Sequence, residues 1–359
     1  MRLWRSDLSS KGITRKRRGK GFSYHLEGRP VTDQETLERI RALVIPPAWR
    51  RVWISTDPRG HIQAVGFDAA GRKQYLYHPK WRTLRDHAKF DHMLEVAAAL
   101  PRLRRRVARD INARGLTRER VLAAAVRMLD SAALRIGGES YAQDDPVLGD
   151  ATFGLATLRR DHVRVRGDTI SFCFPGKNGE EFEFEVTDRA LAGVVKPLLR
   201  RRDPNPELLA YPNGSDTWRD VRTEHVNAYL REGSGLDMTA KDFRTWYGTV
   251  TAAVSLACCE PPTGVTKERR AIAQAMRDVA ERLGNTPAVA RKSYVDERVL
   301  ELYRQGATIS ASEAARWDKA ERAVLRLLRA HGDDADGGVD GDGAEDADAD
   351  GGEDDRPAR

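Results

Sequence analysis

Five side chains have the types needed to act on a phosphate ester: Arg135, Lys177, Arg244, Asn285 and Tyr294. Two guanidinium groups match the oxygens of a phosphate in shape and charge. A phenol oxygen such as that of Tyr294 can attack phosphorus as a nucleophile. Lys177 adds a third cation, and Asn285 adds an amide. Brought together, these groups would suit transfer of a phosphoryl group to the Tyr294 oxygen.

Each of these residues also has an ordinary structural explanation. Most tyrosines bury a ring and hydrogen-bond one hydroxyl, which would make Tyr294 a packing residue. Arg135 closes a predicted helix and could cap its last carbonyl groups. Lys177 would be a solvated lysine that blunts a sheet edge, and Asn285 would be a helix stop signal. Only the occurrence of all five on one basic chain favours the chemical interpretation.

The elements that must position these residues fall into two regions. A basic arm, KGITRKRRGK, lies in residues 1–20 and precedes a β-rich region, residues 21–80. Here a short helix near 33–43 is followed by apolar runs at 52–55, 62–66 and 74–77, separated by the turns DPRG and DAAGRK. We expect a small antiparallel sheet domain.

From residue 81 to 331 the apolar residues repeat with helical periodicity. Helices are predicted near 81–99, 117–135, 187–200, 218–231, 239–258, 266–283, 296–304 and 311–330. A β-hairpin interrupts them, because residues 169–174 and 182–186 alternate on either side of PGKNG, which places Lys177 at the tip. The predicted fold class is α+β: an antiparallel sheet domain, then a mainly α-helical catalytic domain with a hairpin insertion.

The charge is divided unequally along the chain. The net charge of +7 combines an acidic segment, residues 332–359, with a basic remainder. The segment carries 12 acidic and 2 basic residues, and residues 1–331 carry 59 basic and 42 acidic residues, a net of +17. The acidic segment has too few apolar residues to fold, so we expect a disordered tail. The basic remainder favours a polyanionic partner, nucleic acid first.

The composition also excludes several classes of protein. No apolar run approaches the roughly 18–20 residues of a membrane span, and the N-terminus has no apolar signal region. The three cysteines, Cys173, Cys258 and Cys259, favour a reducing compartment over a disulfide framework. Their spacing does not suit a zinc site, and no acidic cluster indicates a Mg²⁺ site. We therefore expect neither a metal nor a small-molecule cofactor.

The sequence around the five residues resembles that of the type IB DNA topoisomerases, in particular the short poxvirus-like bacterial group. The similarity covers residues 20 to 305. It rests on five strings in the family's order, LRIGGESY, FPGKNG, KDFRTW, LGNTP and ARKSYVD, which contain the five candidate residues. The string GRKQYLYHP, residues 71–79, resembles the segment through which the family's amino-terminal domain contacts DNA.

Two positions depart from the family pattern. Poxvirus and nuclear relatives have histidine where this chain has Asn285, although bacterial relatives can have asparagine. Gly138 stands where an asparagine is common, which removes any side-chain role at that position. Neither departure affects Arg135, Arg244 or Tyr294.

The resemblance implies a mechanism. Tyr294 would attack a DNA phosphodiester to form a 3′-phosphotyrosyl link, while Arg135, Arg244 and Asn285 stabilise the transition state. Lys177 would protonate the 5′-oxygen leaving group. One phosphodiester replaces another of similar energy, so no ATP is needed for religation. The arginines would supply the cationic stabilisation that a metal supplies elsewhere. The free strand can swivel before closure, which would relax supercoiled DNA.

The resemblance also implies how DNA is held. A monomer would close its two domains around double-stranded DNA, and the expected contact residues are Gln74, Tyr75, Tyr77 and Lys241. The two tyrosines share one face of a strand, and without the resemblance they could equally pack the sheet. Lys241 lies three residues before Arg244 and so on the same side of a helix. We expect a cytoplasmic, nucleoid-associated protein.

Two other functions remain open from the sequence. A tyrosine recombinase shares the covalent chemistry, but its HxxR box would correspond here to KDFR, residues 241–244, which lacks the histidine. A basic DNA-binding protein without catalytic activity would require the five residues to occur together by chance. Capture of a covalent DNA complex separates this last function from the other two.

Overall fold

The computed structural model describes residues 2–138, 142, 151–176, 181–214, 217–260 and 264–331. Lys177, at the predicted hairpin tip, and the acidic segment 332–359, predicted to be disordered, lie outside the described residues. The predicted α+β fold class is confirmed: an antiparallel sheet precedes a mainly helical region that contains smaller sheets.

The N-terminal region is a six-stranded antiparallel sheet with the strand order β3-β2-β1-β4-β5-β6. A helix, α1 (Gln34–Ala42), begins at Asp33, whose side chain accepts a hydrogen bond from the Thr36 backbone. Ile40 of α1 packs in one small core with buried residues of the sheet. The strands are β1 (Ile13–Arg18), β2 (Gly21–Leu26), β3 (Arg29–Pro30), β4 (Arg50–Ile54), β5 (Ile62–Phe67) and β6 (Lys73–Tyr77).

The basic arm predicted ahead of the sheet is in fact part of it. Residues 13–18 form β1, which pairs with β2 on one side and β4 on the other. Ile13 is buried in the core, and the Arg15 guanidinium donates to the carbonyl oxygens of Ile45, Pro46 and Trp49. Pairing with β2 and β4 therefore places within the sheet a run that its charges alone predicted to be an arm ahead of it.

The helical region contains α2 to α11. Most predicted helices are present within a few residues of their expected bounds, but α8, which carries Tyr294, had no predicted counterpart. The bounds are α2 (Pro79–Ile111), α3 (Arg118–Ala132), α4 (Arg189–Leu199), α5 (Thr223–Ser234), α6 (Ala240–Ala257), α7 (Val265–Leu283), α8 (Pro287–Tyr294), α9 (Glu297–Arg304), α10 (Ala311–Ala314) and α11 (Trp317–Ala330).

Two helix predictions had the wrong extent. Helix α2 continues through Pro101 to Ile111, because burial of Leu100, Leu103 and Val107 along one face offsets the hydrogen bond lost at the proline. The helix predicted near 218–231 begins instead as a strand. Residues 218–220 (β11) pair with residues 210–212 (β10), and α5 follows.

The hairpin insertion is confirmed and belongs to a three-stranded antiparallel sheet in the order β7-β8-β9. The strands are β7 (Val163–Arg166), β8 (Thr169–Pro175) and β9 (Glu181–Thr187). Phe172 is buried and pairs with Phe184, and their rings stack with centroids 4.2 Å apart. One face of the hairpin strands therefore packs on the helices.

The core of the helical region also contains charged groups that join distant helices. Arg104 on α2 donates to both carboxylate oxygens of Asp130 on α3 and of Glu321 on α11, at 2.8–2.9 Å. The buried Trp246 indole also donates to Glu321. Helix α11 is thus fixed to α2 and α6. In the part of the chain that the structure describes, no helix combines the length and apolarity of a bilayer span.

Candidate active site

Arg244 lies in the first half of α6 and is almost fully buried, with 4 % of its surface exposed. Its two terminal nitrogens donate to the carbonyl oxygens of Ala133, 2.6 Å away, and Leu283, 2.8 Å away. These carbonyls are at the ends of α3 and α7, where helices leave acceptors unused. The Nε atom is buried and has no hydrogen-bond partner among the described residues. The guanidinium is therefore rigidly held and keeps a donor for a ligand.

Arg135 follows the end of α3, where Ala133 has a left-handed backbone with φ of 49°. Its Nη2 atom donates to the Gly284 carbonyl oxygen at 2.8 Å and to Asn285 Oδ1 at 2.6 Å. The side chain thus reaches across to the end of α7. Arg135 and Arg244 line one small cavity, which also includes Gly154, Phe182 and Gly176.

Asn285 follows α7, which ends at Gly284 with φ of 57°. The left-handed residue that stops this helix is Gly284, so the stop-signal explanation applies to the glycine. The backbone nitrogen of Asn285 donates to Ala280, and the side-chain oxygen accepts from Arg135. Its Nδ2 atom is buried and, within the described ranges, has no partner. A buried amide without a partner is costly, and a phosphate oxygen would satisfy it.

Tyr294 is the last residue of α8, which begins with Thr286 as cap and Pro287 at its first position. Its half-buried ring lies 5.0 Å from the Arg244 guanidinium carbon, measured to the ring centroid. Burial raises the pKa of the phenol, but Arg244, Arg135 and Lys241 outweigh this effect and hold that pKa below its usual value near 10. The surrounding cations therefore make the phenolate easier to form.

Four of the five predicted residues thus meet in one place. The ends of α3 and α7 bring the Arg135, Asn285 and Arg244 side chains together, and α8 adds the phenol. The fifth, Lys177, lies outside the described residues. The base of its hairpin is described, however, and Gly176 lines the cavity shared by the two arginines.

Two models of known protein families match the two regions of the chain. The family model for the catalytic core of eukaryotic DNA topoisomerase I matches residues 78–321, and the model for the N-terminal domain of bacterial DNA topoisomerase IB matches residues 21–68. The chain belongs to the type IB DNA topoisomerases. The match to the N-terminal domain decides against the tyrosine recombinase, since it covers the sheet region outside the shared catalytic core.

Two viral relatives match about four fifths of this topoisomerase, and a plant relative matches a shorter part. DNA topoisomerase 1B of Acanthamoeba polyphaga mimivirus is 30 % identical over 301 residues, which cover 82 % of this chain and 88 % of the viral protein. DNA topoisomerase 1B of vaccinia virus is 25 % identical over 302 residues, 80 % of this chain and 88 % of the viral protein. DNA topoisomerase 1 of Daucus carota matches a shorter stretch of 145 residues at 28 % identity, 40 % of this chain and 16 % of the plant protein.

The four predicted DNA-contact residues of the topoisomerase differ in their surroundings. Tyr75 and Tyr77 on β6 are 36 % and 39 % exposed, so neither belongs to the buried core of the sheet. Their ring centroids are 6.1 Å apart. Gln74 is on the opposite face of the strand, and its amide donates to Asp68. Lys241 is exposed at the start of α6, on the Arg244 side, and acts on the Tyr294 pKa.

Three described side chains of the topoisomerase lie close enough together to share a metal ion: Cys173, Glu181 and Glu183. All three are exposed on the outer face of the hairpin. The Cys173 thiol donates to Glu181, and that hydrogen bond raises the pKa of the thiol to about 11. Exposed acidic groups of this kind commonly occur without a metal ion, so we build no mechanism on these residues.

The sequence did not reveal three residues that contact the backbone beside Tyr294. Gly248 on α6 packs so closely that an added Cβ would lie 2.6 Å from the Tyr294 carbonyl oxygen. The Thr249 hydroxyl donates to that same oxygen at 3.3 Å. The Lys89 ammonium on α2 donates to the carbonyl oxygen of Ser293. These residues lie 45 or more positions away along the chain, so no local pattern could have found them.

Proposed function

We propose that this type IB topoisomerase relaxes supercoiled DNA by cleaving one strand with Tyr294 and then resealing it. The observation that carries the proposal is the Tyr294 ring, 5.0 Å from a buried guanidinium, with its pKa held below the usual value by three cations. A tyrosine that only packed the core would have no reason to lie in this cationic environment.

The cleavage step follows from the arrangement of these groups. The Tyr294 oxygen releases its proton to bulk water and forms a bond to phosphorus, while the bond from phosphorus to the 5′-oxygen breaks. The product is a 3′-phosphotyrosyl link and a free 5′-hydroxyl. Arg135 and Arg244 stabilise the charge that develops on the nonbridging oxygens. The Nε of Arg244 and the Nδ2 of Asn285, which have no partner among the described residues, are further donors for that charge.

The leaving 5′-oxygen needs a proton, because an alkoxide is a poor leaving group. We assign this proton to Lys177, whose hairpin starts at the cavity of the two arginines. In the reverse reaction the 5′-hydroxyl returns the proton and attacks phosphorus, which frees Tyr294. The number of phosphodiester bonds is unchanged over the cycle, so no ATP is needed. The two arginines supply the cationic stabilisation that a metal supplies elsewhere.

DNA binding is proposed to involve both regions of the chain. The sheet domain, residues 21–80, would present Tyr75 and Tyr77 to the duplex, and the catalytic domain, residues 81–331, would contribute Lys241. A net charge of +17 on residues 1–331 supports a polyanion between them. We propose a monomer that closes around the duplex and acts at the nucleoid in the cytoplasm.

A plasmid relaxation assay tests this function. Purified protein should relax both negatively and positively supercoiled plasmid in EDTA and without ATP. The matched control is Tyr294→Phe, which removes one oxygen and keeps the ring. A strict requirement for Mg²⁺ or for ATP would contradict the mechanism, as would full relaxation by the control.

A further inference from the structure

Lys89 connects the helix that leaves the sheet domain to the residue that precedes the nucleophile. It lies on α2, and its Nζ donates to the Ser293 carbonyl oxygen at 3.1 Å, across 204 positions of sequence. The side chain is 26 % exposed and lies over the Phe90 ring at 3.9 Å. A half-buried lysine that donates to the last turn of α8 restrains the direction in which that turn points.

The backbone around Tyr294 is held from a second side by α6. Gly248 allows α6 to approach the Tyr294 backbone, and the Thr249 hydroxyl donates to the Tyr294 carbonyl and accepts from the Asp296 nitrogen. The contacts from α6 fix the residues at and after the nucleophile. Among the described side chains, Lys89 donates a hydrogen bond to the carbonyl oxygen of the residue before it, Ser293.

The charged and titratable groups around Lys89 come from several elements. Asp86 on α2 lies 4.0 Å from its Nζ, and Asp296, Tyr294 and Lys241 also act on its charge. Burial is the largest effect and lowers the pKa of the ammonium. The two carboxylates and the phenol oppose that effect, so Lys89 sits within the electrostatic environment of the active site.

Helix α2 also links Lys89 to the exposed tyrosines of the sheet. The helix begins at Pro79, immediately after β6, and Lys89 follows ten residues later. At about 1.5 Å per residue, Lys89 is roughly 15 Å along the helix axis from its start. The element that presents Tyr75 and Tyr77 thus continues directly into the element that contacts the nucleophile's helix.

We infer that Lys89 is a positioning residue for strand cleavage: its hydrogen bond to the Ser293 carbonyl holds the end of α8 so that the Tyr294 oxygen meets phosphorus in line. This inference rests on the proposed function. A loss of alignment of about 1 Å can slow a reaction roughly 100-fold without any loss of binding. Lys89 does not itself have to touch the DNA.

Single-turnover cleavage of an end-labelled duplex tests this role. Lys89→Met keeps most of the side-chain volume and removes the donor, and it should slow covalent adduct formation by roughly 10–100-fold. Duplex affinity and thermal stability should stay close to wild type. Lys89→Arg, which keeps a charged donor, should restore most of the rate. Lys319→Met, an exposed site on α11, controls for loss of one positive charge.

The pH profile separates positioning from other roles. A positioning residue lowers the Lys89→Met rate by the same factor at every pH. A loss that disappears at high pH would mean that Lys89 only assists ionisation of the phenol, and a loss confined to duplex affinity would mean a phosphate contact. Either result overturns the inference, as does a wild-type rate. If Lys89→Met unfolds, Lys89→Ala, which also lacks a donor, replaces it. Failure of wild-type protein to form an adduct would instead refute the proposed function.

Discussion

The helical region and the sheet region hold their candidate functional side chains in opposite ways. In the helical region Arg244 is 4 % exposed and donates to two backbone carbonyls at helix ends. On β6 the side chains of Tyr75 and Tyr77 are partly exposed to solvent, at 36 % and 39 %. The first arrangement fixes groups before the substrate arrives, as electrostatic stabilisation of a transition state requires. The second leaves apolar surface to be buried by a partner.

This contrast predicts different kinds of defect. Substitutions around Tyr294 should change the rate of the chemical step, whereas substitutions on β6 should change affinity. The following variants test that division, and they are ordered by the size of the expected effect.

Lys177→Ala should have the largest of these effects. Loss of a positioned acid slows cleavage of an ordinary phosphodiester by roughly 10²–10⁴-fold. A substrate with a 5′-thiol leaving group needs no such acid, because a thiol is far more acidic than an alcohol. Single-turnover rates on the two substrates provide the measurement. Equal slowing of both would show that Lys177 binds phosphate and does not donate a proton.

Asn285→Ala should slow cleavage by roughly 10²–10³-fold, because it removes a donor to the charged phosphoryl group. The Nδ2 atom is buried and has no partner in the ranges that the structure describes. Asn285→His is the matched variant, because a ring nitrogen can also donate. It should retain much of the wild-type rate in the same single-turnover assay. An alanine variant with the wild-type rate would remove Asn285 from the mechanism.

On the sheet, Tyr75→Ala should weaken duplex binding about tenfold, which corresponds to about 1.4 kcal/mol. The cleavage rate at saturating protein should not change, because the ring lies on the sheet and contacts Tyr77 and Lys73. Tyr75→Phe, which keeps the ring, is the control and should bind nearly as well as wild type. A fluorescence titration gives the affinities. A slower chemical step in the alanine variant would break the division between the two regions.

Lys241→Gln should produce the smallest change, a displacement of the pH profile. The Lys241 charge helps to hold the Tyr294 pKa below its usual value, so its removal raises that pKa. The phenolate then forms at higher pH, and the rising limb of the cleavage rate should move to higher pH. Lys319→Gln serves as the charge control. An unmoved limb would show that Lys241 acts only through DNA contact.

The sequence predicted the parts of this structure that depend on local patterns. Alternation along β6 and β8 gave the correct strand faces, and helical periodicity gave most helices. It did not give α8, because eight residues with few apolar side chains show little periodicity, although Thr286 and Pro287 are ordinary helix-start residues. The basic run at residues 13–18 was misjudged because strand pairing outweighed its charge.

The sequence indicated which residues to consider for the site, but it did not indicate how they are arranged. The resemblance named Arg135, Arg244, Asn285 and Tyr294, but nothing local showed that Arg244 would be buried. Its acceptors, on Ala133 and Leu283, are 111 and 39 positions away. Such contacts depend on the tertiary fold. The same reason explains why Lys89 was not predicted.

The central claim is that Tyr294 becomes covalently linked to DNA, and peptide mapping of a trapped adduct tests it most directly. A nicked duplex that releases its short 5′-hydroxyl strand after cleavage would trap the intermediate on denaturing gels. Digestion and mass spectrometry should then locate a 3′-phosphonucleotide on Tyr294, and Tyr294→Phe should give no adduct while binding duplex normally. An adduct on another residue, or an undiminished adduct with Tyr294→Phe, would contradict the account.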